Sequence, residues 1–271
     1  MPIRRNPLTN EPIVFAPARA SRPHALSGDA SEIVCPFCPG NEDQTPPEIA
    51  RAGDPWRVRV FPNKYPSVEN AEVIVESADH DAAFERIEHA EEVVATYIER
   101  RRAHASAEYV ALFKNEGERA GASIPHGHSQ VMPLDFTPPR IAREAESFRE
   151  GHCPLCDDPG EVIGESASFI WLAPHGSSMP YQQWLVPRRH TNRIGDDGVA
   201  ELAMWLRRSA SGMRALAPAF NWAFVEFPRH PRGHWYVDLF PRLTAIAGFE
   251  LGTGTFVEII DPAAAARHFG S

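Results

Sequence analysis

Two stretches of the chain carry hydrophobic residues at the spacing of an amphipathic helix. The first covers residues 85–107, with Glu and Arg residues on the face opposite its apolar positions. The second covers residues 198–216 and has the same pattern. The apolar positions are Ile87, Val94 and Ile98 in the first stretch, and Val199, Leu202, Trp205 and Leu206 in the second. The pattern therefore predicts one helix in each half of the chain.

Shorter stretches rich in β-branched and aromatic residues predict strands around these helices. One such strand follows each helix, at residues 108–113 and 221–227. Two further strands are predicted before the helices, and they end in His80 and His190.

Both halves repeat one order of elements: a loop, strands, a strand that ends in a histidine, a helix and a strand pair. This order predicts an α+β fold made of two tandem units, 1–140 and 141–271. Each unit is expected to be an antiparallel sheet with a helix packed on it. The predicted bridge between the units is Pro138-Pro139 with the charged stretch 140–150.

The composition is that of a globular protein that buries a core. Of 271 residues, 43% are hydrophobic, 23% are charged and 26 are proline, which favours loops and strand edges over a helical bundle. The formal charge of −9 argues against long DNA or RNA as a partner, because proteins that track phosphates are usually basic. No stretch approaches the ~20 apolar residues of a membrane helix. The first residues lack the apolar core of a signal peptide, so the cytoplasm is the expected compartment.

Four cysteines occur as two Cys-Pro-apolar-Cys pairs, Cys35 with Cys38 and Cys153 with Cys156. Both pairs lie in loops rich in Pro, Gly and Asp. A redox-active pair is expected between a strand and a helix, and disulfides are rare in the cytoplasm. Two thiolates from one tight turn supply half of a tetrahedral zinc shell, so two zinc knuckles are the favoured interpretation. The repeated motif also indicates a duplicated unit.

Histidines at matching positions complete a four-ligand set for each cysteine pair. The first half offers His80 and His126, and the second half offers His190 and His234. Each half therefore supplies the Cys2His2 set that zinc favours, which predicts two zinc ions per chain. The alternative is that His80 and His190 are surface histidines at strand ends.

The segment from His126 to Gln130 is the candidate reactive centre. It reads as a strand, so His126, His128 and Gln130 are predicted to share a face. Ser129 is expected on the opposite face. One histidine of such a pair can hold metal while the other, when neutral, attacks an α-phosphoryl group. Gln130 can donate a hydrogen bond to a phosphoryl oxygen. The alternative is an ordinary core strand, which would bury two adjacent histidines without partners.

Two arginines near the start of the chain are candidate phosphate ligands. Arg19 and Arg22 lie three residues apart in a proline-flanked loop. Arginine is the usual bidentate partner of phosphate, so this pair is a candidate for binding the diphosphate of a donor. The alternative is a solvated surface loop.

These motifs resemble the galactose-1-phosphate uridylyltransferase branch of the histidine-triad superfamily, which includes the plant-type ADP-glucose phosphorylases. The resemblance extends over nearly the whole chain. The most specific match is the active-site segment 114–130. The other matching segments are 4–9, 16–23, the zinc knuckle 35–42, the nucleotide-binding loop 61–66 and the C-terminal signature 248–254.

The resemblance implies a role for each matching residue. His128 is expected to accept a nucleoside monophosphate, while His126 binds zinc with Cys35, Cys38 and His80. The residues expected to hold the nucleotide and its phosphates are Gln130, Ser123, Asn115, Asn63, Arg19, Arg22 and Glu250. It also implies a homodimer in which the segment around Glu250 reaches the partner's site.

Three positions depart from the family pattern. Gly127 stands where this branch usually has proline, which leaves the segment more flexible. Tyr236 stands where many relatives have the second histidine of a His-x-His motif, so the second half lacks a second nucleophile and a structural zinc is expected there. Thr244 stands where some uridylyltransferases have a lysine that holds the hexose phosphate, which leaves the sugar open.

The leading hypothesis is a ping-pong nucleotidyltransferase. A sugar nucleotide (a UDP- or ADP-hexose) gives its nucleoside monophosphate to His128, and a hexose 1-phosphate or inorganic phosphate then accepts it. The first alternative is a histidine-triad hydrolase or a dinucleoside polyphosphate phosphorylase. Gln130 disfavours the hydrolase, because the family's hydrolases have histidine at that position. The second alternative is a zinc-dependent binding protein without catalysis, which the presence of His128 disfavours.

Overall fold

The computed structural model describes residues 2–17 and 34–270. Within these ranges the chain forms twelve β-strands and six α-helices. The strands are β1 (Ile3–Arg5), β2 (Pro12–Val14), β3 (Ala50–Ala52), β4 (Val58–Pro62), β5 (Glu72–Val75), β6 (Tyr109–Glu116), β7 (His128–Leu134), β8 (Gly160–Glu165), β9 (Phe169–Pro174), β10 (Gln183–Pro187), β11 (Phe220–Val225) and β12 (Tyr236–Pro241). The helices are α1 (Ala90–Ala103), α2 (Pro139–Ala145), α3 (Pro154–Asp157), α4 (Val199–Leu216), α5 (Gly248–Thr253) and α6 (Pro262–Gly270).

Ten of the described strands form one antiparallel sheet in the order β3-β4-β5-β7-β6-β11-β12-β10-β9-β8. The first half of the chain contributes β3 to β7, and the second half contributes β8 to β12. Counted inward from each edge, the two halves have the same strand order. The remaining pair, β1 with β2, forms a separate two-stranded sheet.

The two halves meet at the centre of the large sheet, where β6 pairs with β11. Phe113 of β6 lies opposite Ala223 of β11. Phe113 also lies opposite Gln130 of β7, and Ala223 lies opposite Asp238 of β12. A pseudo-twofold axis therefore passes between Phe113 and Ala223. The α+β class and the antiparallel strands are confirmed, but the two expected sheets are continuous. The unit boundary at residues 140 and 141 stays a prediction.

Helices α1 and α4 pack together against one face of this sheet. Alternate strand residues point into this layer, where they form the main hydrophobic core with both helices. Representative core residues are Ile74, Val131 and Trp222 from the strands and Val94 and Leu206 from the helices. This layer is the core that the two amphipathic patterns predict.

The observed helix boundaries agree with the predicted ones better in the second half of the chain than in the first. Helix α4 begins one residue after Gly198, which has a left-handed φ of 73°. Helix α1 begins only at Ala90, because the predicted start forms a short 3-10 turn that ends at the extended residue Ile87. Helix α1 ends at Ala103 after three arginines, short of the predicted end.

The opposite face of the sheet carries three cavities. The cross-strand row Gln130, Phe113, Ala223 and Asp238 lies on this face, which we call the open face. Each of these residues lines one of three cavities there, of about 330, 480 and 510 Å³. The intervening residues, such as Ser129, point to the helix layer. Three cavities therefore share the open face, and two further cavities, of about 570 and 500 Å³, lie elsewhere on the molecule.

The predicted bridge contains helix α2, which packs on the second half. Arg140 donates to Asp238 Oδ2 at 2.7 Å, and Tyr236 Oη donates to Glu144 Oε2 at 2.9 Å. Among the described residues, none of the helices combines the length and the apolar character needed to cross a membrane.

Candidate active site and metal centres

Cys35, Cys38, His80 and His126 come together into one cluster. Their four ligand atoms lie within 4.8 Å of one another. Cys38 Sγ lies 3.3 Å from His80 Nδ1 and 3.7 Å from His126 Nδ1, and Cys35 Sγ lies 3.6 Å from His126 Nδ1. Tetrahedral zinc with usual bond lengths separates its sulfur and nitrogen ligands by about 3.6 Å. The cluster therefore has the size and donor set of a zinc site.

The contacts around this cluster set the ligand atom of His126. Its Nε2 donates to the carbonyl oxygen of Ser77 at 2.7 Å, so Nδ1 faces the sulfurs. Burial lowers the pKa of His126, which keeps the ring neutral. Burial and the neighbouring Cys35 raise the pKa of Cys38 to about 11. Two adjacent thiols therefore need a cation before both can ionise.

Cys153, Cys156, His190 and His234 form an equivalent cluster in the second half. Their ligand atoms also lie within 4.8 Å of one another. Cys156 Sγ lies 3.5 Å from His190 Nδ1 and 3.4 Å from His234 Nδ1. His234 Nε2 donates to the carbonyl oxygen of Pro187 at 2.8 Å, and burial lowers the pKa of His234 to about 4. Two Cys2His2 groups that can bind metal are therefore present.

The expectation that His126 shares a strand face with His128 and Gln130 is wrong. Strand β7 begins only at His128, so His126 lies in the bend before the strand. Its ring turns toward the cysteines because Ser77 accepts its Nε2 proton and the sulfurs face its Nδ1. His128 and Gln130 do share a face, and both line the same cavity. Ser129 points to the helix layer as expected, where its hydroxyl donates to Glu76.

His128 is held in one tautomer. Its Nδ1 donates to the carbonyl oxygen of His126 at 2.8 Å, so the neutral ring carries its lone pair on Nε2. The ring of Phe37 packs edge-on against the imidazole with the ring centres 5.3 Å apart. A neutral, oriented imidazole is the form needed for attack on phosphorus.

The cavity that contains His128 has apolar walls and a few polar groups. Its volume is about 330 Å³. The apolar walls include Pro36, Phe37, Phe61, Val73 and Ile124, and the polar groups include Gln44, Asn63, Lys64, Tyr65, Ser123 and Gln130. This combination is typical of a small-molecule binding pocket.

Part of the cavity lining comes from the predicted nucleotide-binding loop 61–66, which supplies Phe61, Asn63, Lys64 and Tyr65, but the wall formed by Pro36 and Phe37 was not predicted. Pro36 and Phe37 are the two residues between the cysteines of the first knuckle, so that turn both supplies ligands and forms a wall. The sequence feature that indicates this wall is the apolar residue Phe37 between the two cysteines. Asn63 shapes its loop, since its Oδ1 accepts from the backbone N–H of Tyr65 at 2.9 Å.

Two other predicted site residues, Asn115 and Glu250, do not line the His128 cavity. Asn115 is the next residue in register opposite His128, but it lines the neighbouring cavity and accepts from Asn221 at 2.8 Å. Glu250 lies in α5, where its carboxylate accepts from the backbone N–H of Ala247 at 3.1 Å, and it does not line the His128 cavity. Arg19 and Arg22 fall outside the described residues.

The second half has an equivalent cavity, and the described residues that line it include no histidine. Tyr236 and Asp238 take the places of His128 and Gln130, and Pro154 and Leu155 of the second knuckle line it. Burial raises the pKa of Tyr236 well above its usual range. Asp238 accepts hydrogen bonds from Arg140 and from Gln182, the latter at 2.6 Å. Hydrogen bonds within the protein therefore occupy these polar groups.

Comparison with known proteins identifies relatives over the full length of the chain. A model of the galactose-1-phosphate uridyl transferase N-terminal domain matches residues 69–138. ADP-glucose phosphorylase from Arabidopsis thaliana is 28% identical over 98% of this chain and 91% of its own length. Galactose-1-phosphate uridylyltransferase from Thermotoga maritima is 26% identical over 98% of this chain and 97% of its own length.

Solved structures give the same result for the fold. The crystal structure of the Arabidopsis thaliana ADP-glucose phosphorylase with bound ADP-glucose has a TM-score of 0.81 at 28% identity and covers 100% of this chain and 98% of its own. A uridylyltransferase structure has a TM-score of 0.84 at 25% identity, with the same coverage.

The fold, the site and these relatives define an enzyme of the nucleotidyltransferase class. Over 98% of its length, the chain is similar to both an ADP-glucose phosphorylase and a galactose-1-phosphate uridylyltransferase. The family resemblance drawn from the motifs is therefore confirmed.

Proposed function

We propose that this protein transfers a nucleoside monophosphate from a sugar nucleotide to a phosphate-bearing acceptor through a covalent intermediate on His128. The observation that carries the proposal is the fixed tautomer of His128 inside an apolar cavity. Nδ1 donates its proton to the carbonyl oxygen of His126, so Nε2 is the nitrogen that acts as the nucleophile. Gln130, two residues later on the same face, lines the same space.

In the first half-reaction, His128 Nε2 attacks the α-phosphorus of the sugar nucleotide. A P–N bond forms, and the bond between the α-phosphorus and the bridging oxygen breaks. The hexose 1-phosphate leaves with the bonding electron pair. The Nδ1 proton stays hydrogen-bonded to the carbonyl oxygen of His126, which stabilises the charge that the ring gains.

In the second half-reaction, a phosphate oxygen of the acceptor attacks the same phosphorus and displaces the imidazole. In both half-reactions, Gln130 donates a hydrogen bond to a phosphoryl oxygen, and its amide has no titratable proton. A histidine there would offer a proton for hydrolysis, so Gln130 favours transfer over hydrolysis. Ser123 and Asn63 line the cavity as further polar contacts. Asn115, Glu250, Arg19 and Arg22 keep the substrate-binding roles that the family resemblance implies.

Zinc is the proposed metal at both Cys2His2 clusters. Thiolate and imidazole donors with these separations suit tetrahedral zinc. Four protein ligands fill a tetrahedral shell, so bound zinc would supply structural stability rather than an open site for substrate. The first cluster also helps to position His128. His126 belongs to this cluster, and its carbonyl oxygen accepts the hydrogen bond from His128 Nδ1.

Two donor and acceptor pairs compete within this proposal. The leading pair is UDP-glucose with a hexose 1-phosphate. The second is ADP-glucose with inorganic phosphate, and it is favoured by the similarity to the Arabidopsis thaliana ADP-glucose phosphorylase and by Thr244 at the position where some uridylyltransferases have lysine.

Product analysis distinguishes these pairs. The protein is incubated with UDP-glucose and galactose 1-phosphate, with ADP-glucose and phosphate, and with diadenosine tetraphosphate with and without phosphate. We expect UDP-galactose and glucose 1-phosphate from the first mixture, or ADP and glucose 1-phosphate from the second. Products from diadenosine tetraphosphate alone would instead indicate a hydrolase, and no products from any mixture would contradict the proposal.

A homodimer is part of the proposal, and an exposed apolar strip supports it. The strip comprises five large residues in and after α5 that are 45–75% exposed: Phe249, Leu251, Phe256, Val257 and Ile259. Glu258 connects this segment to the second half, because its carboxylate accepts a hydrogen bond from the backbone N–H of Ser177 at 2.9 Å. An apolar patch of this kind is typical of a protein interface, and a second copy of the chain is the proposed partner.

Replacing Leu251 and Ile259 by serine is expected to convert the dimer to a monomer with little change in the stability of the fold, since both side chains are exposed. Light scattering after size-exclusion chromatography measures the mass. Met204→Ser, at an apolar residue of α4 that is 47% exposed, serves as the control and should leave the dimer intact. A wild-type protein that is monomeric at micromolar concentration would contradict the dimer.

The proposed compartment is the cytoplasm. Reducing conditions there keep the four cysteines available as metal ligands.

A further inference from the structure

Glu76 is a fully buried carboxylate behind the strand that carries His128. Its Oε1 accepts hydrogen bonds from Ser129 Oγ and from Tyr97 Oη, each at 2.5 Å. Its Oε2 accepts from Lys114 Nζ at 2.6 Å. These groups all lie in the helix layer, on the side of the sheet opposite the His128 cavity. Glu76 therefore holds the residue that follows His128 without reaching the cavity itself.

The backbone around Glu76 holds the residues that precede His128. The N–H of Glu76 donates to the carbonyl oxygen of Gly127 at 3.1 Å. The carbonyl oxygen of the next residue, Ser77, accepts from His126 Nε2 at 2.7 Å. His128 itself donates to the carbonyl oxygen of His126. Contacts from Glu76 and Ser77 thus hold the chain on both sides of the reactive histidine.

The buried pair of Glu76 and Lys114 is part of a larger, partly buried charge network. Lys114 also contacts Glu116 at 3.0 Å, and Arg214 joins Glu116 at 2.8 Å to Glu85 at 2.7 Å. Burial lowers the pKa of Lys114, but the adjacent carboxylates of Glu116 and Glu76 outweigh this effect and raise it overall. Lys114 therefore stays charged.

A buried ion pair is a poor source of stability, because removing both charges from water costs about as much as their attraction returns. Apolar residues of similar volume would fill the same space without this cost. The location of the Glu76–Lys114 pair next to Gly127 says more about its role than its contribution to stability does. Gly127 lies against it, since a Cβ added there would be 3.6 Å from Glu76 Oε2 and 3.7 Å from Lys114 Nζ. Glycine has the most backbone freedom of any residue. The backbone at Gly127, directly before His128, therefore needs contacts from neighbouring residues to hold it in place.

We infer that Glu76 is a positioning residue that acts through Ser129 and Gly127 to hold His128 in line for attack on the α-phosphorus. This inference rests on the proposed function. Glu76 touches neither the substrate nor the imidazole, so it sets the rate of nucleotidyl transfer and leaves donor binding unchanged.

Glu76→Gln tests this role. Glutamine replaces one acceptor oxygen by an NH2 group, so it cannot accept from Ser129, Tyr97 and Lys114 together. We expect the single-turnover transfer of nucleotide to His128, measured with a sugar nucleotide and no acceptor, to slow by about 10- to 100-fold. The dissociation constant of the donor should stay within about twofold, because the cavity walls are untouched.

Glu226→Gln is the matched control. Glu226 is also a buried acid, and it accepts from Arg101 Nε and from the backbone N–H of Ile194, both at 2.7 Å. Neither partner belongs to the segment around His128. We expect a comparable loss of thermal stability in both variants, with a slow transfer step only in Glu76→Gln. Equal slowing in both variants would overturn the inference, since it would mean that general loosening of the core controls the rate.

Ser129→Ala provides a second test if Glu76→Gln does not fold. It removes one contact of Glu76 and is expected to slow transfer by about 3- to 10-fold. Ser209→Ala, which removes a buried hydroxyl that donates to Gln183 at 2.7 Å, is its control and should transfer at the wild-type rate. Wild-type rates in both Glu76→Gln and Ser129→Ala would overturn the role of Glu76 and leave the proposed function standing. A wild-type protein that forms no adduct would defeat the proposed function first.

Discussion

Incubation with a sugar nucleotide in the absence of an acceptor is expected to leave one nucleoside monophosphate on His128. The P–N bond of the adduct should be labile to acid and stable to base, unlike a serine ester. His128 is the expected site because its Nδ1 proton is held by His126 and its ring lies in the cavity. Ser129 cannot compete, since its hydroxyl is bound to Glu76 on the other side of the sheet.

His128→Asn is expected to carry no adduct and to lose turnover by about 10⁴-fold or more, as removal of a nucleophile usually does. Donor binding should persist, because the apolar walls and both Cys2His2 clusters remain. Intact-mass spectrometry and peptide mapping locate the adduct, and its mass distinguishes UMP from AMP. His175→Asn, an exposed histidine, is the control and should form the adduct normally. An adduct that survives in His128→Asn would refute the mechanism.

Removal of the metal is expected to unfold the protein and not merely to inactivate it. Structural zinc binds Cys/His sites with about 10–16 kcal/mol in model peptides, whereas a whole domain is stable by only about 5–15 kcal/mol. Each cluster joins distant segments of its own half, such as Cys38 to His126 and Cys156 to His234. Loss of both clusters therefore removes more free energy than the fold has in reserve.

Elemental analysis of protein purified without chelator should give two zinc ions per chain. Cys38→Ala and Cys156→Ala are matched variants, one in each half, and each should reduce the content to one zinc ion. Circular dichroism on addition of a strong chelator should show loss of structure together with loss of activity. One metal ion or none in the wild-type protein would contradict the two-site proposal, and full structure after complete zinc removal would contradict the energetic argument.

The metal ligands could be predicted from the sequence because cysteine pairs two residues apart are rare and chemically specific. The two histidines of each set were found by comparing the halves, and the structure brings all eight residues into two groups. The position of His126 could not be predicted in the same way. Its distance from His128 suits a strand, but the contacts of its ring with Ser77 and the cysteines hold it in a bend.

The partly buried charge network could not be predicted from the sequence. Lys114 and Glu116 lie in a strand where charged residues usually face water. Their burial depends on helices α1 and α4, which cover that face, and on Arg214, which lies far away along the chain. The continuous sheet was missed for a similar reason. The pairing of β6 with β11 joins residues about 110 positions apart, and no local pattern encodes such a contact.

In each half, the residue that joins the Cys2His2 cluster and the residue that faces the cavity are different, which has a consequence for how a duplicated unit can diverge. His126 and His234 hold the clusters, whereas the residue two places later, His128 or Tyr236, faces the cavity. A substitution at the later position leaves the cluster and the strand pairing intact. One copy could therefore exchange its nucleophile for a hydrogen-bonded tyrosine at little cost to folding, while the other copy alone stayed under selection for reactivity.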